Sequence, residues 1–575
     1  MDYVSLEVAA ATAVSSFEKD LIVVDAIPVE DEINTINDNA SDEKGTGRYS
    51  ITIPAFDPQA EPGDAIFPVS ILDGIMPRML VPVTCTYQLD EDNNVAMREA
   101  ILDKICAGLR NLLGEYRFLA GTLYEPVGEG GRAYVKRTAS HANFVVHVQD
   151  VTITAPDFPS FAELKRRHFP ASDLDERMLP PSFTPIPVPP PPGEGVPAMV
   201  VQLNLIKGGL VMGVAVHHML VDAHGLDKLL ARWAAHTRSL MDPTRFPTPS
   251  PIVRCDLDPA VLDVLPPPHP ARVIRNAAAA LGDEKKGSST TVVVDVVDYR
   301  KQAVASLKYA PNAPPTSDIP PSAMEQHIWH ISASKLAALK ASASPAEAAA
   351  ANNEDSTKQQ WVSTNDCITA LMWRAVTRAR LAKHGISFST ENNKTTPPPR
   401  LVSLENSLDV HEAFRTVRPE GLPEAYVGNV VMFSKASMPL RQLVAAETFR
   451  AVAVKTREAV EAYRAWPMVR RAMEWIAACP RSADVEMDFE AVGGLDFVTT
   501  SWRVLKAYER ADFGFGPLMA LRWATAVFDG YCFLYPTRPS GDSDEGVEIY
   551  LGLERECMER LLKDEELARW AEVRN

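Results

Sequence analysis

Apolar and polar positions follow two periods along this chain, and the strongest signal lies near its middle. Residues 200–216 (VVQLNLIKGGLVMGVAV) form an apolar, β-branched run broken mainly at Lys207, Gly208 and Gly209. A run of that kind, split by a glycine turn, predicts a buried hairpin. Residues 225–233 (GLDKLLARW) then space their apolar side chains helically, so a helix follows at once. Upstream, 22–29, 80–87, 133–135 and 143–151 read as strands, and 31–49 as a polar loop. Residues 95–113 read as an amphipathic helix with Met97, Ile101, Ile105, Leu109 and Leu112 on one stripe. Residues 179–197 are almost half proline and predict an extended surface loop. Residues 241–275 are again proline-rich and, with loops at 285–291 and 310–321, predict a crossover.

The pattern restarts near residue 325 with a strand at 327–332, a helix at 333–343 and an Ala/Asn-rich insertion at 345–359. A long helix at 364–383 opens on Ser363, Thr364, Asn365 and Asp366, and its N-terminus is a natural place for an anion. After a polar insertion at 390–400 come strands at 401–407 and 429–434 and one or two helices over 440–478. Strands at 497–503, 521–535 and 547–551 and a closing helix at 554–572 complete the chain. Strand and helix in mixed order in both halves predict an α/β (α+β two-layer) fold. At 575 residues the chain exceeds one core. The expected organisation is an N-terminal domain over 1–240, a crossover over 241–320 and a C-terminal domain over 321–575.

Composition narrows the partners. Hydrophobic residues make up 46% and charged residues 23%, as in ordinary globular domains. A net charge of −17 argues against nucleic acid, which wants a basic face. No run approaches the roughly 20 apolar residues of a membrane span, and no secretory or lipidation signal is visible. The 7 cysteines contain no C-x-x-C pair, which suits a reducing compartment, so a cytoplasmic monomer is expected. Cys367, beside the turn at 363–366, reads as a small core residue.

The hairpin ends on AVHHMLVDAHG (215–225), which places His218 four residues before Asp222. Side chains alternate along a strand, so only one of His217 and His218 faces a given cleft. An imidazole with an ordinary pKa of about 6.5 can take a proton from an alcohol or amine near neutrality. Asp222 either orients that ring or braces the turn by pairing with an arginine; spacing alone leaves both open. Near the C-terminus, 499–516 reads TTSWRVLKAYERADFGFG, ending in a glycine-punctuated turn.

Together HHMLVDAHG and SWR…DFGFG resemble the BAHD acyltransferases. Four further stretches resemble that family in the same order: VSILDGIMP (69–77), FLAGTL (118–123), VSTNDCITALMWRAVTRAR (362–380) and YVGNV (426–430). Two departures stand out. Ala223 and His224 separate Asp222 from Gly225, where the family has glycine directly after the aspartate, and Phe515 replaces the tryptophan of DFGWG. The resemblance implies two chloramphenicol-acetyltransferase-like domains with a channel between them. It implies acyl transfer from an acyl-CoA co-substrate to a hydroxyl, less often an amine, of a small molecule, with no bound cofactor and no metal. His218 would be the general base in direct attack on the thioester. Thr500 and Trp502 would stabilise the oxyanion, and Asp222 would hold the motif loop, through an arginine. Ser363, Thr364, Asn429, Asp512, Gly514 and Gly516 are the candidates on the substrate and CoA side. Of these, Asp512, Gly514 and Gly516 are expected to set loop shape. Lys285, Lys286, Arg300 and Lys301 are candidates for the CoA phosphates.

Length and proline-rich insertions look more like fungal members, among them trichothecene-type O-acetyltransferases, which implies a secondary-metabolite alcohol and acetyl-CoA. The alternatives are a stand-alone condensation-type domain with a carrier-tethered donor, or a non-catalytic relative. A serine hydrolase is disfavoured by the lack of any G-x-S-x-G elbow.

Overall fold

The computed structural model describes residues 45–59, 63–90, 95–125, 132–184, 193–252, 262, 306–310, 323–344, 361–387, 400–525 and 529–574. The predicted hairpin is the strand pair Met199–Ile206 and Gly209–His217, buried at every position. It forms the middle of a six-stranded sheet ordered Arg48–Pro54, Asn143–Asp150, Met199–Ile206, Gly209–His217, Leu80–Gln88 and Leu518–Trp523. Only the contact between Asn143–Asp150 and Met199–Ile206 is parallel. The helices Val95–Glu115 and Ala223–Met241 pack together, with the Trp233 indole donating to the Ile105 carbonyl at 2.9 Å. Arg232 and His236 both reach Glu115 at that seam.

The second sheet has seven strands, ordered Val431–Pro439, Leu401–Asp409, Phe497–Ser501, Tyr531–Leu534, Val547–Glu554, Met324–Ile331 and Glu572–Val573. The helix Thr364–Leu381 lies on one face and fills a core with Trp373, Leu404, Phe497 and Ile549. The other face joins a larger core shared by both halves, in which Val214, Met219 and Trp233 meet Trp502, Phe513 and Phe533. A mixed α/β architecture is thus present, and no sheet among the described residues closes into a barrel.

Several elements differ from the sequence expectation. The strand Leu518–Trp523 belongs by sequence to the C-terminal half yet pairs with Leu80–Gln88, so it completes the N-terminal sheet. A division of the chain at 240 and 321 does not anticipate that exchange. Residues 440–478 form three helices, Leu440–Val444, Phe449–Arg464 and Trp466–Ala478, the last restarting at a proline in its first turn. The closing helix is two short ones, Arg555–Leu561 and Glu565–Trp570, because Asp564 caps a new start on the Leu567 amide. Within the proline-rich stretch, Val196–Pro197 pairs with Thr122–Tyr124. The expected strand at 22–29, the basic residues Lys285, Lys286, Arg300 and Lys301, and the 345–359 insertion lie outside the described residues. No helix among the described residues is long and apolar enough to cross a membrane.

Candidate active site

The two histidines at the end of the central strand have different surroundings. His217 is 1% exposed, and its Nδ1 accepts the Met219 amide at 3.3 Å. Burial, with His218 and Arg78 beside it, pushes its pKa down to about 3, so it is a neutral structural residue. His218 lies one residue past the strand and is less enclosed. Its amide donates to the Met79 carbonyl at 2.8 Å. Nδ1 of its ring is buried, with no well-formed hydrogen bond among the described residues. Burial lowers the imidazole pKa below 6.5, against opposing pulls from its own carbonyl, Asp222, Asn429 and Val221. The ring is therefore neutral at neutral pH, the state a general base requires.

Among the described residues no arginine pairs with Asp222. Its Oδ1 accepts the Gly225 amide at 2.8 Å, capping the helix Ala223–Met241, and its Oδ2 accepts the Val430 amide at 3.0 Å. Both carboxylate oxygens thus serve backbone amides, one from each half of the chain. The site is braced at this point by an N-cap and a strand entry rather than by an ion pair. Gly225 is required here, because a Cβ would stand 1.9 Å from the Val427 carbonyl oxygen. The inserted His224 contacts Asp409 at 3.8 Å and the His411 ring at 5.7 Å between centroids. Although burial pushes it up, the bonds from His411 hold the Asp409 carboxyl down at about 2.

Asn429 joins three elements. Its backbone amide and Nδ2 donate to Asp73 Oδ1 at 2.8 and 2.7 Å, and Nδ2 also donates to the His218 carbonyl at 2.7 Å. Asp73 is 2% exposed and takes the Ser70 amide on its other oxygen. The stretches 69–77, 215–225 and 426–430, far apart in sequence, thus meet around the His218 backbone. Asp73 escaped the sequence reading as a site residue, although it lies inside a stretch that reading had marked. Asp227 and Lys228 also escaped it: Asp227 accepts the Lys506 amide at 3.1 Å, and Lys228 donates to the Tyr426 carbonyl at 2.8 Å. A charged residue that binds main chain leaves no pattern in sequence.

Thr500 and Trp502 sit at the end of the strand Phe497–Ser501. The parallel register pairs Thr500 with Phe533, which faces the shared core, whereas Phe497 and Cys532 face the helix side. Thr500 therefore looks toward the core that contains Met219 and Leu220. Trp502 packs edge-on against Phe533 at 5.3 Å between centroids and against Trp523 at 6.1 Å. Neither the Thr500 hydroxyl nor the Trp502 indole N–H is engaged among the described residues.

The helix start at Ser363 is already occupied. Ser363 Oγ accepts the Asp366 amide at 3.2 Å, the Asp366 carboxylate returns to the Ser363 amide at 2.6 Å, and Arg457 donates to both side chains. Ser363 and Asp366 thereby satisfy the terminus that an anion would use, while Thr364 stays half-exposed. Cys367 is buried behind them, its thiol pushed up to about 12 by burial and by Asp366.

The DFGFG segment docks at the far end of the helix Ala223–Met241, roughly 25 Å from Asp222 by helix rise. Arg238 donates to the Asp512 carbonyl at 3.2 Å, and Asp512 Oδ1 accepts the Gly514 amide at 2.8 Å. Gly514 has φ +99°, and Arg238 lies 3.1 Å from where its Cβ would stand. Gly516 has φ +141°, and Phe513 and Phe515 both pack on Tyr87. The segment launches the exchanged strand and does not reach His218.

The model of a trichothecene 3-O-acetyltransferase-like N-terminal domain matches residues 79–235, and that of the transferase family matches 271–568. Eremophilane O-acetyltransferase ORF8 of Penicillium roqueforti is 21% identical, over 88% of this chain and 98% of its own. O-acetyltransferase dmxR13 of Cryptosporiopsis sp. is 26% identical, over 82% of this chain and 90% of its own. In structure, F. graminearum TRI101 complexed with Coenzyme A and T-2 mycotoxin gives a TM-score of 0.63 at 17% identity, covering 89% of this chain and 100% of that one. Vinorine synthase gives 0.55 at 17% identity, covering 91% and 98%. The fold is that of these enzymes, and the chain belongs to the transferase family, the BAHD acyltransferases that its motifs resemble.

Proposed function

We propose that this protein transfers an acyl group, acetyl in the first instance, from acyl-CoA to a hydroxyl of a small secondary metabolite. The observation that carries the reading is His218, a neutral imidazole held at the seam of the two halves by Asp222 and Asn429. The acceptor hydroxyl gives its proton to His218 as its oxygen attacks the thioester carbonyl. The tetrahedral oxyanion, met by Thr500 and Trp502, collapses and expels the CoA thiolate, which recovers the proton from His218. Base catalysis of this kind is worth about 10²–10⁴ in rate, and each oxyanion donor about 10²–10³. The acetyl donor and hydroxyl acceptor are supported by relatives named as O-acetyltransferases and by TRI101 with Coenzyme A and a mycotoxin.

In this reading Asp222 and Asn429 are positioning residues, and Asp512, Gly514 and Gly516 keep the exchanged strand in place. Thr364, more than Ser363, is the contact for CoA. The two units are 1–240 and 321–575, joined by the crossover and by the exchanged strand, and the protein works as a cytoplasmic monomer. The test is mass-spectrometric detection of acetylated product from acetyl-CoA and a panel of hydroxylated terpenoids, alkaloids and phenolics. Acceptor-dependent acetylation is expected. Acetylation only from a carrier-bound acyl thioester would point to a condensation-type enzyme instead.

A further inference from the structure

Glu405 stands in the middle of the strand Leu401–Asp409 and is 1% exposed. Among the described residues neither of its carboxyl oxygens has a hydrogen-bond partner. Register places Lys435 directly across from it, yet the Lys435 ammonium turns away to the Asp488 carboxylate at 2.7 Å. The nearby Asp496 is likewise taken up by the Ser403 and Glu490 amides. A buried carboxyl left without a partner is costly, and a fold keeps one where something else completes it.

The sheet register says what Glu405 faces. Leu404 and Phe497 are paired and point to the helix side, so Glu405 and its partner Val498 point the other way. Val498 pairs in turn with Tyr531, and Thr500, two residues on, pairs with Phe533. Glu405, Tyr531, Thr500 and Phe533 thus share the sheet face turned toward the motif residues Met219 and Leu220. Along the strand direction Glu405 lies about 7 Å behind the row of Thr500, two residues of strand rise.

We propose that Glu405 is a specificity-determining residue of the acceptor pocket, hydrogen-bonding a second oxygen function (hydroxyl or ketone) of the molecule whose hydroxyl is acylated. The proposal rests on the acyl-transfer reading, with Thr500 beside the reacting carbonyl. Burial, only partly opposed by Lys435 and reinforced by Asp496 and Asp488, pushes the Glu405 carboxyl well up. A neutral acid both donates and accepts, which suits a hydroxyl or a ketone and disfavours a carboxylate. The acceptor class is therefore a polyoxygenated neutral alcohol.

The experiment compares wild type, Glu405→Gln and Glu405→Met on matched acceptor pairs, with and without the second oxygen. Wild type should favour the dioxygenated acceptor by about tenfold in kcat/KM, the worth of one hydrogen bond. Glu405→Gln should keep most of that preference. Glu405→Met should abolish it, with the KM for acetyl-CoA unchanged. An unchanged preference in Glu405→Met would overturn the role of Glu405 while leaving acyl transfer standing. Failure of wild type to acylate any acceptor would overturn both. An infrared difference spectrum of wild type gives a readout independent of variant folding. The protonated-carboxyl C=O band should shift on acceptor binding and be missing in Glu405→Gln; no shift in wild type would overturn the proposal.

Discussion

At the scale of single residues, the site depends on which group each polar atom faces. His218 is kept neutral by burial, so more acid than usual is needed to protonate it. Activity should therefore hold through pH 6.5 and fall only below it, a profile read from kcat/KM against pH. His217 shifts stability in the same direction. The unfolded chain binds its proton near 6.5, whereas the native state refuses it until about 3. Acidification through that window should lower the thermal midpoint. Asp222→Asn should keep the Gly225 amide bond but turn an NH₂ group on the Val430 amide, costing about 1–3 kcal/mol. Asp222 also pulls the His218 pKa up, so the acid limb of the pH profile should move to lower pH in that variant; an acid limb that stays in place would contradict that pull. Sequence spacing brought out His218 and Asp222 as a pair. The partners of Asp222 were not legible, because an amide is present at nearly every residue and marks none. Glu405 was equally hidden, since an isolated glutamate in an alternating strand reads as solvent-facing.

At the scale of elements, the hairpin was readable because both its strands are buried and its turn needs Gly208 at φ 71°. The helices at 333–343 and 364–383 were readable in sequence, the second also from Ser363 at its start. The exchanged strand was not. Leu518–Trp523 looks like any buried strand, and its choice of Leu80–Gln88 as partner is set by where the DFGFG turn docks. That docking is tertiary information. The approach of Val427 to the helix Ala223–Met241 is a second case, and it gives a sharp expectation. Gly225→Ala places a methyl 1.9 Å from a carbonyl oxygen, so either the helix or the 426–430 segment must move. A loss of about 1–3 kcal/mol in chemical denaturation is expected, with reduced activity even where the fold survives. Wild-type stability and rate in Gly225→Ala would contradict the close contact.

At the scale of the whole molecule, the two sheets are tied through one buried charge network as well as through the shared core. Arg522, on the exchanged strand, meets Glu548 at 2.9 Å with both side chains essentially unexposed. Arg538 reaches the same carboxylate at 3.1 Å. Arg522 also donates to the His168 and Phe169 carbonyls at 2.8 Å. Burial alone would raise the Glu548 pKa, but Arg522, Arg538 and Arg574 hold it below its ordinary value. Removing one partner strands buried charge, so Glu548→Gln should cost about 3–5 kcal/mol, seen as a large drop in thermal midpoint. A small effect would mean that water reaches the cluster. The network holds the exchanged strand in the N-terminal sheet, the DFGFG turn anchors the start of that strand, and His218 lies where the two halves close on each other. The most direct measurement is therefore acceptor-dependent CoA release from acetyl-CoA by wild type and His218→Ala, with CoA binding followed in parallel. A fall of about 10²–10⁴ in release with CoA affinity intact is the expected result. Release at the wild-type rate in His218→Ala would contradict a mechanism built on that base.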